Sequence, residues 1–266
     1  MDLNRSSYYK WKNRIIPQKE KQDYELCNLI VEYDNTYNHI LGYRRMTMYI
    51  NHFNNTTYSW KYIRRLMLFL GIKSKIRRKR YNYIKSKPEQ IGENILNRDF
   101  TATHPNQKWL TDVTEFKIIG KKEKLYLSAI LDLYDKSIVS YVISTRNDNK
   151  LVFDTFDKAI KDNPNVHPIF HSDRGFQYTS KVFKVKLDDN NMIQSMSRVG
   201  KCIDNGPMEG FWGTMKSESY YLGKYYDQEA LKKCIVEYIE FYNTKRLQAN
   251  LKCMTPIEYR NHAFCN

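Results

Sequence analysis

The chain is short of the residues that staple or cage a small fold. Its five cysteines, Cys27, Cys202, Cys234, Cys253 and Cys265, are odd in number and none forms a C-x-x-C pair. That argues against a disulfide framework or a cysteine zinc site and suits a reducing cytosol. The six histidines do not fall at metal-ligand spacing with them. No apolar run approaches the roughly 18 residues that cross a bilayer. The N-terminal MDLNRSSYYKWKNR lacks the apolar core of a signal peptide. No internal repeat is present. Acids are also scarce relative to bases: 29 Asp and Glu stand against 44 Lys and Arg, a formal net charge of +15. Such an excess points to a polyanionic partner, nucleic acid first.

What is present suffices for a core. Hydrophobic residues make up 41% of 266 residues, and that length exceeds one typical domain of about 100–200 residues, so two domains are expected. The charge is uneven. Residues 1–100 carry 20 basic against 9 acidic residues, +11, and residues 101–266 carry 24 against 20, +4. In the basic third, QDYELCNLIVEYDN (22–35) reads as a helix through Leu26, Leu29, Ile30 and Tyr33. Gly42 breaks the pattern, and YRRMTMYINHF (43–53) forms a second helix. NNTT (54–57) is a turn with Thr56 or Thr57 as N-cap. YSWKYIRRLMLFLGI then sets Trp60, Ile63, Leu66, Met67 and Leu70 on one stripe and stops at Gly71. This is the outline of a helix-turn-helix, with Arg44, Arg45, Lys61, Arg64 and Arg65 as candidate DNA contacts. The run KSKIRRKR (73–80) has six cations in eight positions; there Arg77, Arg78, Lys79 and Arg80 are expected to track phosphates. The expected division is a basic helical region 1–80, a linker 81–104 and a second domain 105–266.

From residue 108 the texture changes. KWLTDVTEFKI, KLYLSAILDLYD (124–135) and SIVSYVIST (137–145) read as three strands with short, hairpin-compatible connections. NKLVFDTFDKAIKDN (149–163) is helical, PIFHSD (168–173) a strand, TSKVFKVKLDDNN (179–191) a helix and MIQSMSR (192–198) a strand. DNGPMEGFWGTMKSE (204–218) and DQEALKKCIVEYIEFYNTKR (227–246) close with helices. The order βββ-α-β-α-β-α-α predicts a mixed five-stranded α/β sheet flanked by helices. In it Asp112 lies on the first strand, Asp173 at the end of the fourth, where such sheets place ligands, and Glu209 in the first turns of the helix after the fifth. Three carboxylates from three separate elements can converge at one sheet edge. Asp132, on the strand paired with the first, is the rival: an extra ligand or a strand end. Asp204 reads as a turn or cap residue, and neither Glu218 nor Glu115 competes.

WLTDVTEF, HSDRGFQY and DNGPMEGFWGTMKSE resemble the three blocks of the retroviral-integrase-like catalytic core of insertion-sequence transposases, and more closely the second-frame (OrfB) protein of the group usually called IS-three. The interval from Asp173 to Glu209 leaves thirty-five residues between them, which matches that family's spacing. FYNTKRLQANLKCMTPIEYR resembles its closing block, and SSYYKW, GYRR and RRLM its basic helical segment. The chain departs from the pattern at Gly206 and Gln248, where the family often shows alanine and histidine. It also lacks the zinc-binding HHCC domain of retroviral integrases and sustained heptads before residue 60.

The resemblance implies an RNase H-like fold, a DNA transposase with Asp112, Asp173 and Glu209 as catalytic and metal-binding acids, and Mg²⁺, with Mn²⁺ as a substitute. It further implies DNA as partner (element ends and target), an oligomer on that DNA, help from the upstream-frame (OrfA) protein, and a place in the bacterial cytoplasm at the nucleoid. Phosphodiester chemistry explains the residue types: two hard cations about 4 Å apart need oxygen ligands, which three carboxylates supply. Asp112 is expected to bridge the ions, with Asp173 and Glu209 holding one each. Lys216, two helical turns after Glu209 and on its face, is expected to hold a phosphate, and the resemblance implies a terminal-DNA contact there. Arg174, Gly175 and Gln177 form the loop after Asp173; Arg174 is a further candidate DNA contact and Gly175 serves a turn. His171 and Asn205 read as packing and turn residues near the site, and Tyr242, Asn243 and Arg246 as packing or DNA-touching ones. Two other readings stay open on the acids and the basic third alone: an RNase H-like nuclease that cuts without joining, and a non-enzymatic DNA-binding regulator.

Overall fold

A computed structural model describes residues 4–76, 94–198 and 202–264. Arg77, Arg78, Lys79 and Arg80, and much of the stretch 81–104, lie outside the described residues. The chain divides into two compact units, Met1–Ile76 and Arg77–Asn266.

The first unit holds α1 (Arg5–Lys12), α2 (Gln18–Thr36), α3 (Tyr43–Asn54) and α4 (Trp60–Phe69). Leu26 and Ile30 of α2, Met46, Tyr49 and Ile50 of α3, and Ile63, Leu66 and Met67 of α4 are buried. Each set recurs at three- and four-residue intervals, so one stripe per helix makes the core. Trp60, expected on the α4 stripe, is instead exposed. The turn between α3 and α4 is braced by one side chain: Asn51 Oδ1 accepts from Thr56 Oγ1 and Tyr58 N–H, and its Nδ2 donates to the Tyr58 carbonyl. With Thr56 engaged there, Ser59 caps α4, its Oγ accepting from Tyr62 N–H. This corrects the expected cap at Thr56 or Thr57. Asn55 (φ 51°) and Gly71 (φ 70°) adopt the left-handed conformation that ends α3 and follows α4.

In the second unit β1 (Lys108–Lys117), β2 (Lys124–Asp132), β3 (Ile138–Ser144), β4 (Ile169–Ser172) and β5 (Ile193–Met196) form one sheet in the order β3-β2-β1-β4-β5. The first three strands pair antiparallel, while β1–β4 and β4–β5 are parallel. Alternation along β1 sorts its side chains between two cores. Trp109 joins Ile130, Phe170 and the apolar faces of α5 (Asn149–Asp162) and α6 (Lys181–Asp189). Leu110 and Phe116 face the other way, with Met208, Phe211, Trp212 and Met215 of α7 (Gly206–Glu218) and Leu231, Ile235 and Ile239 of α8 (Gln228–Thr244). A last helix, α9 (Pro256–Phe264), follows. α9 begins with a capping box: Thr255 Oγ1 accepts from Glu258 N–H while Glu258 Oε2 accepts from Thr255 N–H.

Candidate active site

Strand register places the two aspartates. Asp112 sits in mid-β1 on the α7 side of the sheet, with Leu110 and Phe116. β1 and β4 are parallel, and their ladder ends at Leu110 opposite His171. Two residues further along lie Asp112, still on β1, and Asp173, the first residue past the end of β4. Adjacent strands lie about 4.8 Å apart, so the carboxylates are close neighbours. The consequence appears at Asp112, whose carboxyl is pushed up to about 7 by burial first, then by the charges of Asp173 and Glu209. Two neutral donors oppose this: Val113 N–H reaches Asp112 Oδ1 at 2.8 Å and Trp212 Nε1–H reaches Oδ2 at 3.0 Å.

Glu209 lies in the first turn of α7 and is exposed. Polar ties along β1 fix its helix. Asn205 Nδ2 donates to the Thr111 carbonyl, Trp212 Nε1 to Asp112 and Lys216 Nζ to Thr114 Oγ1 at 2.7 Å. Beyond α7, Tyr220 Oη both accepts from and donates to the backbone of Lys117. The end-to-end spacings agree: the fifteen residues from Asn205 to Tyr220, thirteen of them in α7, rise about 22 Å at helical pitch, and the six from Thr111 to Lys117 span about 20 Å of strand. α7 therefore runs in step with β1, with Glu209 toward the Asp112 end and Lys216 further along. Lys216 is half-buried over the Phe116 ring, and burial lowers its ammonium's pKa against the opposing pull of Glu115 and Asp112.

The loop after β4 is tight around Asp173. Its Oδ1 accepts from Gly175 N–H at 2.9 Å. A Cβ at Gly175 would lie 3.1 Å from that same oxygen and 2.9 Å from Gln177 Oε1. Gly175 does not lie at positive φ, so close approach, rather than turn conformation, is what glycine supplies there. Arg174 Nε donates to the Ser197 carbonyl. Gln177 is buried, with Nε2 on Asn147. His171 is fully buried between Ser195 Oγ and Ser197 Oγ, and burial drops its pKa to about 4; it is a neutral packing residue.

Other buried acids have different tasks. Asp132 pairs across from Trp109, whereas Asp112 lies opposite Ala129; an offset of three residues puts Asp132 on the opposite sheet face. Arg260 of α9 holds it at 2.6 Å and Asp135 at 2.5 Å. Asp132 is thus a clamp for the C-terminal helix, which corrects its candidacy as an extra ligand. Asp204 does not cap α7 by a side-chain bond. It takes Arg198 and Arg98 at 2.7–2.9 Å, and its carboxyl is held far below the usual range by Arg198 first. Glu218 is buried against Arg246 and the Tyr238 hydroxyl. Asn243 spans the Ile138 backbone and Tyr242 packs on Phe211, so these C-terminal residues are architectural. Sequence reasoning missed Trp212 and Arg260. The T-P-I-E capping box was the available signal for Arg260's helix; a lone tryptophan on an apolar stripe gave none.

In the helical unit Arg44, Lys61 and Arg64 are exposed, at 5.7–5.9 Å from the rings of Tyr43 or Trp60. Arg45 is half-buried over Tyr49. Arg65 is engaged by Asp23 at 3.1 Å.

The donor chemistry of Asp112, Asp173 and Glu209 fits a hard divalent cation: oxygen only, and crowded enough that one member resists ionising. Among the described residues no three His, Cys, Asp or Glu side chains close on one point tightly enough to hold an ion by themselves. Mg²⁺ is usually held by one or two carboxylates with water and substrate phosphate making up the rest, so an open carboxylate face is compatible with it.

Comparison with known proteins bears on the family and the fold. Models of the integrase core domain match residues 102–202 and 209–264, and a model of an HTH-like domain matches residues 21–80. The chain is 43% identical over 84% of its length to 78% of the putative transposase InsK for insertion sequence element IS150 from Escherichia coli K12. The chain belongs to the insertion-sequence transposases with an integrase core. It is also 39% identical to an uncharacterized transposase-like protein of Haemophilus influenzae, covering 82% of this chain and 97% of that one. Among solved structures, the simian T-cell lymphotropic virus intasome in complex with PP2A regulatory subunit B56 gamma matches 87% of this chain and 74% of its own, with a TM-score of 0.52 at 15% identity; that likeness is one of fold. The five-stranded sheet of this transposase is accordingly RNase H-like.

Proposed function

We propose that this chain cuts DNA at the ends of its insertion sequence and joins the freed 3′-hydroxyl to a target, with Asp112, Asp173 and Glu209 as the catalytic acids. The observation that carries the reading is the placement of three acids from three elements: Asp112 on β1, Asp173 just past the neighbouring β4, and Glu209 in the first turn of α7, which Asn205 and Trp212 tie to β1 beside Asp112: a carboxylate face built to be completed by cations. Mg²⁺, in our reading two ions, would there activate the attacking oxygen and relieve charge on the phosphate. Asp112, which feels the charge of both other acids, would serve both ions in this reading, and Asp173 and Glu209 would each hold one. The protein's own contribution is positional. β1 and β4 set two acids at strand spacing, the ties of α7 to β1 set the third, and Lys216 presents a half-buried ammonium beside the same face for a phosphate.

The basic helical unit and the residues 73–80 are assigned to DNA grip, with the exposed Arg44, Lys61 and Arg64 as contacts. The domain division at 80 and 104, the oligomer on DNA, and help from an upstream-frame protein belong to the same reading, as does a place at the nucleoid. No helix among the described residues is long and apolar enough to cross a membrane.

The test is Mg²⁺-dependent cleavage and joining on element-end DNA, with and without the upstream-frame protein. Joined product that disappears in Asp112→Asn, Asp173→Asn and Glu209→Gln is expected. Cleavage without joining would favour a nuclease, and unchanged behaviour in all three variants would favour a regulator. Lys216→Glu should weaken binding to element ends.

A further inference from the structure

The α7 stripe is apolar: Met208, Phe211, Trp212 and Met215 are buried against β1, β2 and α8. A phenylalanine at 212 would fill most of that space. Beyond its second ring, tryptophan adds an indole N–H, which can only donate. That N–H goes to Asp112 Oδ2 at 3.0 Å. Trp212 follows Glu209 by three residues, so the helix turn that carries the third acid also holds the first.

The other oxygen of Asp112 is held by Val113 N–H. One donor on each oxygen fixes the plane of the carboxylate, and both are neutral, so the negative charge is oriented without being cancelled. Arginine does the opposite at Asp204 and Glu218, where a guanidinium pairs directly with the carboxylate. A carboxylate that is aimed but not neutralised still has a lone pair on each oxygen for a cation.

We infer that Trp212 is a positioning residue that orients the Asp112 carboxylate for metal and couples its orientation to the seating of Glu209. The inference rests on the reading of Asp112 as a metal ligand. It makes residue 212 part of the metal site's support, where donors to ligand groups commonly matter by 10- to 100-fold in affinity.

The test measures Mn²⁺ binding to the full chain by calorimetry, without DNA and so without turnover. Thermal unfolding in chelator runs alongside. Trp212→Phe is expected to weaken Mn²⁺ binding by about 10-fold or more while the chelated protein keeps its melting temperature within a few degrees. The same loss should appear when Trp212 is replaced by β-(3-benzothienyl)alanine, which keeps the bicycle and puts sulfur in place of N–H. That variant serves if Trp212→Phe does not fold. In a strand-transfer assay, either change should raise the Mg²⁺ concentration for half-maximal rate more than it lowers the rate at saturating Mg²⁺. Mn²⁺ affinity equal to the parent's in the benzothienyl variant overturns the inference. If Asp112→Asn also binds Mn²⁺ like the parent, the reading of the acids has failed and the inference falls with it; if Asp112→Asn loses binding and the benzothienyl variant does not, only the role of Trp212 is lost.

Discussion

Asp112 and Asp132 lie on paired strands, three positions apart in register, and the protein treats them in opposite ways. Asp132 is fully buried with Asp135, and Arg260 bridges the two at 2.5–2.6 Å. Asp112 faces Asp173 and Glu209 and receives only neutral donors, so its proton affinity rises to about 7. Burial and a neighbouring acid raise both carboxyls, Asp135 being that acid for Asp132; Asp132 has a buried arginine to answer the charge, which makes it architectural, whereas a buried carboxylate answered only by neutral donors persists where a cation is to be held. The difference separates acids that hold the fold from acids that hold a ligand, and no count of carboxylates in the sequence makes that distinction.

The largest expected effect lies on the ligand side. Asp112→Asn, Asp173→Asn and Glu209→Gln should each lower strand transfer by on the order of 10³-fold or more, with circular dichroism unchanged. Full activity in any one would return that acid to the architectural class. On the other side, Arg260→Met should leave activity limited only by folding. It strands Asp132 and Asp135 against each other in the interior, at a cost of about 3 kcal/mol measured by urea unfolding. Adding Asp132→Asn to that variant should restore much of the loss. A stable Arg260→Met protein would show that the C-terminal helix is held by other means.

The sequence carried much of this contrast. Alternation on β1 and the run PIFHSD located Asp112 on a strand and Asp173 at a strand's end, one residue past Ser172 in the structure, and the DNGP turn located Glu209 in a first helical turn, because hydrophobic periodicity and turn chemistry are local. Asp132 was ambiguous because its partner comes from a helix 128 positions on, a separation that periodicity does not span. Its opposite facing was within reach, since strand parity is local, but only once the register across from Asp112 was known. Asp204 was legible as structural, yet its mechanism was not a cap: Arg98 and Arg198 reach it across 106 and 6 positions. The Thr56 or Thr57 cap failed for a similar reason, Asn51 having claimed that turn.

pH separates Asp112 from Asp204, although not from Asp132, whose carboxyl is also raised by burial and by Asp135. The folded-state pKa of Asp112 is raised, so between about pH 4 and pH 7 the native chain binds the proton that the unfolded chain has lost, and this group's contribution to stability falls as pH rises. Asp204 has the reverse sign: its folded pKa is depressed, so its contribution is present above the ordinary carboxylate range and is lost only as pH falls below about 4. Metal-free protein should therefore lose on the order of 2 kcal/mol from the Asp112 contribution between pH 5 and pH 7.5, allowing for partial exposure. Asp112→Asn should flatten that slope, and Mg²⁺ should reduce it in the parent. A slope that survives Asp112→Asn would place its origin in another group.

The smallest change asked of the site is one methyl group. Gly175→Ala puts a Cβ 2.9 Å from Gln177 Oε1 and 3.1 Å from Asp173 Oδ1. Its backbone conformation is open to alanine, so any effect is steric. Gln177 is buried and tied to Asn147, which leaves it little room to withdraw, whereas Asp173 is only half-buried and is the partner that can shift. A displacement of a few tenths of an ångström leaves stability within about 1 kcal/mol, but it moves a carboxylate whose value lies in its position relative to Asp112. Strand transfer should fall about 10-fold and the Mg²⁺ requirement should rise, while urea unfolding stays close to the parent. If activity falls only in proportion to stability, Asp173 behaves like Asp132, as an acid of the fold, and the contrast drawn between the two sides of β1 would have to be redrawn with Asp112 and Glu209 alone.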